Sequence, residues 1–259
     1  MIRKLVQQAG PPLLMLALVL LGWQLLVTTA KLPAYLLPGP LAVVEGAVRR
    51  GPELLRAAGV TGAAALCGFV ASLIGGTLIA LLFSQSAAIR RSCYPYAIFL
   101  QTVPIVAIAP CVVTWFGSSF QSVVIIACVI SLFPIITNVT TGLIAIDAGL
   151  QDLFRLHQAT RWQVLRKLQV PNALPYLITG ARTSSGLAVV GAIVGEFFVG
   201  YGTKQHGLGF IILYAGPQLK TDQLFAATVA SALLGVCMFG GVTLIGRWLL
   251  ARWCEPTWN

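Results

Sequence analysis

Arg182 and Glu196 are charged side chains inside one apolar run, GARTSSGLAVVGAIVGEFFVG, from Gly180 to Gly200. At membrane depth each costs a few kcal/mol unless it finds a partner or water. A buried carboxylate is what an ion-coupled carrier titrates, whereas a cation near a helix end snorkels or binds loop backbone. The two lie about 21 Å apart along a helix and so cannot pair, although they share nearly one face. Glu196 continues a row of small residues, which turns it toward protein. There it is expected to line a cavity, gate it, or anchor the loop holding Lys204 and Gly207. A carboxylate repels anions, so a neutral or cationic group on a solute would suit it better.

Other chemistries lack their residues. A membrane-embedded transferase or protease needs clustered Asp, His or Ser groups, and the 7 acidic residues are dispersed. No G-x-x-x-x-G-K-[ST] loop occurs, because Lys220 and Thr221 lack the preceding glycines. His157 and His206 have no second ligand at metal spacing and read as surface or interface residues. Cys67, Cys93, Cys111, Cys128, Cys237 and Cys254 form no C-x-x-C pair and mostly fall in apolar runs, so neither a disulfide framework nor a metal site is expected.

The longest polar interruption is RLHQATRWQVLRKLQVPNALP, from Arg155 to Pro175. Leu150, Leu153, Phe154 and His157 follow i, i+3, i+4, i+7, which predicts a short helix with Asp152, Arg155 and Gln158 turned elsewhere. Thr160 stands three residues before Gln163, a capping-box spacing, so a second helix is expected from Arg161. Pro171 should stop it, with Asn172 capping the following span and Pro175 in that span's first turn. Periodicity leaves open whether this segment lies on lipid headgroups or docks a partner.

These positions need a membrane scaffold. The chain has 259 residues, 58% hydrophobic and 9% charged, with mean hydropathy +0.88, and no stretch polar enough for a soluble domain. An all-α integral membrane protein of one domain is expected, with six spans near 11–30, 59–83, 95–116, 121–142, 174–199 and 223–249, and a loop over 143–173. Thr28 and Ala30 resemble a signal cleavage site, but the length of the first span and its Trp23 and Gln24 favour an uncleaved helix. The net charge of +10 comes from small basic groups without the stripe of a nucleic-acid binder. Arg3, Lys4, Arg90, Arg91, Arg155, Arg161, Arg166, Lys167, Arg247 and Arg252 fall on one side. Lys31, Arg49, Arg50, Arg56, Lys204 and Lys220 fall on the other, which places both termini and the polar loop inside.

Within this frame, Leu41, Val44, Val48 and Leu55 predict an interfacial amphipathic helix in the first connection. Ala64, Gly68, Ser72, Gly76 and Ala80 in the second span, and Gly180, Ser184, Ala188 and Ala192 in the fifth, form four-residue rows that permit close helix crossing. Pro104 and Pro110 in the third span, and Pro134 followed by Asn138 in the fourth, free carbonyls that neighbours or a water-lined cavity must satisfy. Broken helices of this kind occur where solutes pass.

DLFRLHQATRWQVLRKLQVPNALP resembles the EAA loop of permease subunits from binding-protein-dependent ABC importers. Asp152 takes the acidic position, Leu153 and Phe154 the two alanines, Gln158 the glycine, Ala159 the next alanine, and Val170 with Pro171 the closing pair. QTVPIVAIAPCVVTWFG, from Gln101, and GARTSSGLAVVGAIVGEFFVG with the later Gly207-Leu208-Gly209 resemble the branch serving nitrate, sulfonate, taurine, pyrimidine and riboflavin uptake.

The resemblance implies a homodimer of six-helix subunits in the bacterial inner membrane. Its partners would be a cytoplasmic ATPase dimer that holds ATP and Mg, a solute-binding protein docking outside, and membrane lipids. No cofactor and no catalytic residue are expected in this chain. Asp152, Phe154, Arg155, His157, Gln158, Ala159, Thr160 and Arg161 become ATPase contacts. Gln101, Pro104, Asn138, Arg182 and Glu196 become candidates for the pathway or its gate. Gln158 departs from the family glycine, and a left-handed turn there would cost about 1 kcal/mol. The alternative function is a secondary transporter coupling through Glu196.

Overall fold

The computed structural model describes residues 2–200 and 206–253; Lys204 and Cys254 lie outside them. The described residues are helical throughout their regular structure. In chain order the helices are α1 (Ile2–Thr29), α2 (Pro40–Arg49), α3 (Gly51–Gln85), α4 (Ala87–Thr102), α5 (Ile105–Phe116), α6 (Phe120–Ile144), α7 (Ala148–Leu156), α8 (Arg161–Val164), α9 (Val170–Val199), α10 (Leu208–Ala215) and α11 (Thr221–Trp253).

Among the described residues five helices are long and apolar enough to cross a bilayer. They cover Gly10–Thr29, Gly51–Gln85, Phe120–Ile144, Arg161–Val199 and Thr221–Ala251. The expected third span, 95–116, is not one helix. Pro104 has no amide hydrogen and pushes Val103 into extended backbone (φ −70°, ψ 123°), so α4 stops at Thr102 and α5 restarts at Ile105. Pro95, Pro110, Pro134 and Pro175 remain within helices.

Two expected boundaries also change. The amphipathic helix of the first connection ends at Arg49, because Gly51-Pro52 starts α3 with proline in its first turn, where a missing donor costs nothing. Leu55 therefore belongs to α3. Pro171 does not stop α8. A π-helical turn over Leu165–Gln169 carries the chain from α8 into α9. In an α-helix the proline ring would meet the carbonyl four residues back, and the wider turn moves that carbonyl aside. Asn172 is consequently not a cap of α9; its amide donates to the carbonyls of Gly142 (2.7 Å) and Ala145 (3.0 Å), fastening the end of α6.

α6 lies between α3 and α9 and packs most extensively on both. Both small-residue rows are buried against it. Ala127 of α6 is clamped by two glycines. A Cβ on Gly68 would stand 2.6 Å from the Ala127 Cβ, and one on Gly191 would stand 2.7 Å from its Cα. Hydroxyls run through the same layer: Ser184 donates to the Ser131 carbonyl (2.6 Å) and Ser131 to the Ser72 hydroxyl (2.9 Å). Close backbone approach and satisfied hydroxyls replace the hydrophobic drive that lipid cannot supply. α1 stands at the margin, touching the bundle where Trp23 packs on Phe225 with ring centroids 5.8 Å apart.

Candidate functional site

At one end of the bundle, α7 is begun by Asp147, whose carboxylate accepts from the amides of Gly149 (2.9 Å) and Leu150 (3.2 Å). It ends in a Schellman turn, with the Gln158 amide donating to the Arg155 carbonyl and the Ala159 amide to that of Phe154. Gln158 adopts φ +49°, so the left-handed conformation that glycine favours is kept despite the side chain. Thr160 and Gln163 form the reciprocal capping box, and α8 follows.

None of the α7 residues is buried, and Leu156 is 81% and Trp162 66% exposed. Asp152 pairs with Arg155 at 3.3 Å in the open, a contact worth little by itself. Phe154 and Ala159 separate two clefts. One, of about 310 Å³, opens toward Leu143 and Ile144 at the end of α6, and the other, of about 340 Å³, is lined also by His157, Gln163 and Lys167. The eight loop residues thus share one projecting surface of apolar and charged groups that this chain itself leaves uncovered.

The five pathway candidates do not form one cluster. Gln101 and Pro104 line a cleft of about 420 Å³ at the α4–α5 break, with Phe133 and Pro134 from α6 and Leu187 and Val190 from α9. Asn138 sits one turn beyond Pro134, donates to its carbonyl (2.8 Å) and abuts Gly180. Arg182 is half-buried, and its Nε has no hydrogen-bond partner among the described residues.

Glu196 lies at the opposite end from α7 and is 6% exposed. Its carboxylate accepts from the Thr61 hydroxyl (2.8 and 3.1 Å) and from the Gly209 amide (2.7 Å). Thr61 in turn accepts from the Leu208 amide (2.8 Å). Glu196 therefore occupies the N-terminus of α10, where free amides and the helix dipole favour an anion. A Cβ at Gly207 would overlap this carboxylate, which gives the Gly207-Leu208-Gly209 turn its composition. The carboxylate thus ties the end of α9 to α3 and to the start of α10.

A model of the family described as "Binding-protein-dependent transport system inner membrane component" matches residues 72–251. The chain belongs to that family of ABC importer permeases. The permease is 35% identical over 241 residues to the riboflavin transport system permease protein RibX of Chloroflexus aurantiacus, covering 92% of this chain and 88% of that one. It is 32% identical to the formylaminopyrimidine transport permease protein ThiX of Halalkalibacterium halodurans, covering 94% and 96%. A probable ABC transporter permease protein of Haemophilus influenzae is 30% identical, covering 93% and 95%. Among solved structures, an inward-facing MetNI methionine ABC transporter chain superposes with TM-score 0.64 at 20% identity, covering 75% of the permease and 94% of that chain, a likeness of fold.

Thr61 is the site residue that local sequence reasoning passes over. It falls three residues before Ala64 on the buried face of α3, so a lone hydroxyl extending a small-residue row was the available signal. Its partner lies 135 residues away, beyond the reach of any periodicity.

Proposed function

We propose that this permease, paired with a second copy in the bacterial inner membrane and with both termini cytoplasmic, forms the route for a small solute. An extracytoplasmic binding protein delivers that solute, and the α7–α8 surface takes up the motion of cytoplasmic ATPases that hold ATP and Mg. The observation that carries this reading is α7. It is capped at both ends yet buries none of its residues within the chain, so its apolar and charged groups await a protein surface. Asp152, Phe154, Arg155, His157, Gln158, Ala159, Thr160 and Arg161 are the contacts.

The α4–α5 break with Gln101 and Pro104 is the segment of the route offered by each copy, since irregular backbone at membrane depth is tolerated where it lines a cavity. Its described lining is apolar apart from the Gln101 amide and the Thr102 hydroxyl, with Phe133 as a ring to stack on. A neutral planar heterocycle fits it, in keeping with the riboflavin and formylaminopyrimidine relatives. A sulfonate would meet no cation among those residues. Ion coupling through Glu196 is disfavoured, because the carboxylate is held by the Thr61 and Gly209 donors.

Uptake into vesicles bearing the complete complex tests this function. Transport should survive a proton and sodium uncoupler and vanish when the Walker lysine of the partner ATPase is replaced. Collapse of uptake by the uncoupler alone would overturn the reading in favour of an ion-coupled carrier.

A further inference from the structure

At the end of the bundle opposite α7, a cleft of about 1350 Å³ opens among the starts of α3, α6 and α11 and the body of α10. Its rim carries Arg49, Arg50, Arg56 and Lys220, against the single carboxylate of Glu53. Arg49 pairs with exposed Glu45 at 3.6 Å, whereas Arg50 and Arg56 have no ion-pair or hydrogen-bond partner among the described residues. Phe120, Phe210 and Tyr214 wall the cleft, and the Lys220 ammonium stands 5.9 Å from the Tyr214 ring. Gln223, a residue only 5% exposed, lines it too.

Cations above and hydrocarbon below give the cleft the profile of a phospholipid. Val60 and Ala63 continue its floor down α3, and below them Leu66, Val70 and Ile74 form an exposed apolar strip. α2, beside the rim, exposes Leu41, Val44 and Val48 on the side away from its buried Val43 and Gly46, the form of a helix lying at a lipid interface. We infer that this cleft binds the headgroup of one anionic phospholipid, its phosphate on Arg50, Arg56 and Lys220, its glycerol within reach of Gln223, and one acyl chain along the α3 strip. A soluble acidic protein surface would use the cations but leave the apolar strip without a role.

The complete transporter reconstituted in nanodiscs of dioleoylphosphatidylcholine with a quarter dioleoylphosphatidylglycerol, then released for native mass spectrometry, tests the site. Wild type should retain phosphatidylglycerol in preference to phosphatidylcholine. Arg50→Ala/Arg56→Ala/Lys220→Ala should weaken that retention by about two orders of magnitude, from about fivefold for each cation removed. Arg50→Lys/Arg56→Lys, which keeps the charge, should retain the lipid and so separates loss of the site from loss of the fold. Equal retention of both lipids by wild type, or unchanged preference in the triple variant, would overturn the inference. So would a triple variant that keeps its lipid but no longer binds the solute-binding protein, since the cleft would then be a protein dock.

Discussion

Gln158 and Glu196 show how single residues carry the design. Gln158 holds a left-handed conformation that its Cβ opposes, so Gln158→Gly should stabilise the α7–α8 turn by about 1 kcal/mol. Differential scanning of the purified complex should show a small upward shift in the melting temperature, with ATPase assembly retained. A drop in both would mean that the Gln158 side chain itself grips the partner. Glu196→Gln and Thr61→Val each remove an acceptor or donor from a buried network, a change costing about 1–3 kcal/mol. If Glu196 anchors α10, Glu196→Gln should lower basal and solute-stimulated ATPase activity alike. Selective loss of the stimulated activity would instead make it a solute sensor.

At the scale of elements, the α3–α6–α9 layer depends on glycines that meet backbone. Gly68→Leu or Gly191→Leu would drive a side chain into Ala127 and should abolish accumulation of folded protein, read as loss of the monodisperse peak in detergent. Gly235→Leu, on α11 with open space beside it, should be tolerated. Asn172→Ala removes the donor that fastens the end of α6 to the loop and should reduce transport more than ATP hydrolysis. The local devices were legible in the sequence: the Thr160–Gln163 box and the two small-residue rows each depend on neighbours within a few turns. Pro171 misled because the rule that proline ends a helix assumes α-helical geometry, and the π turn before it changes where the carbonyls point. The third span misled in the opposite sense, since its apolar content is continuous while Pro104 divides its backbone.

At the scale of the molecule, composition alone placed the chain in a membrane, and motif resemblance identified the family that its match over 72–251 shows. Contacts between distant segments stayed hidden. Thr61 reaches Glu196 and Leu208 only after three helices fold together, and the basic cleft draws its rim from α2, α3 and the turn before α11. The two ends of the permease differ accordingly, one holding the Glu196 carboxylate on the start of α10 beside a basic cleft and the other projecting α7. On the proposed function, the ATPase docks on α7 and its turn. Co-purification of the ATPase with membrane-inserted Arg155→Glu and Ala159→Trp permeases tests it most directly. Both variants should insert normally and lose the ATPase; full recovery of the ATPase with both would mean that it docks elsewhere on the permease.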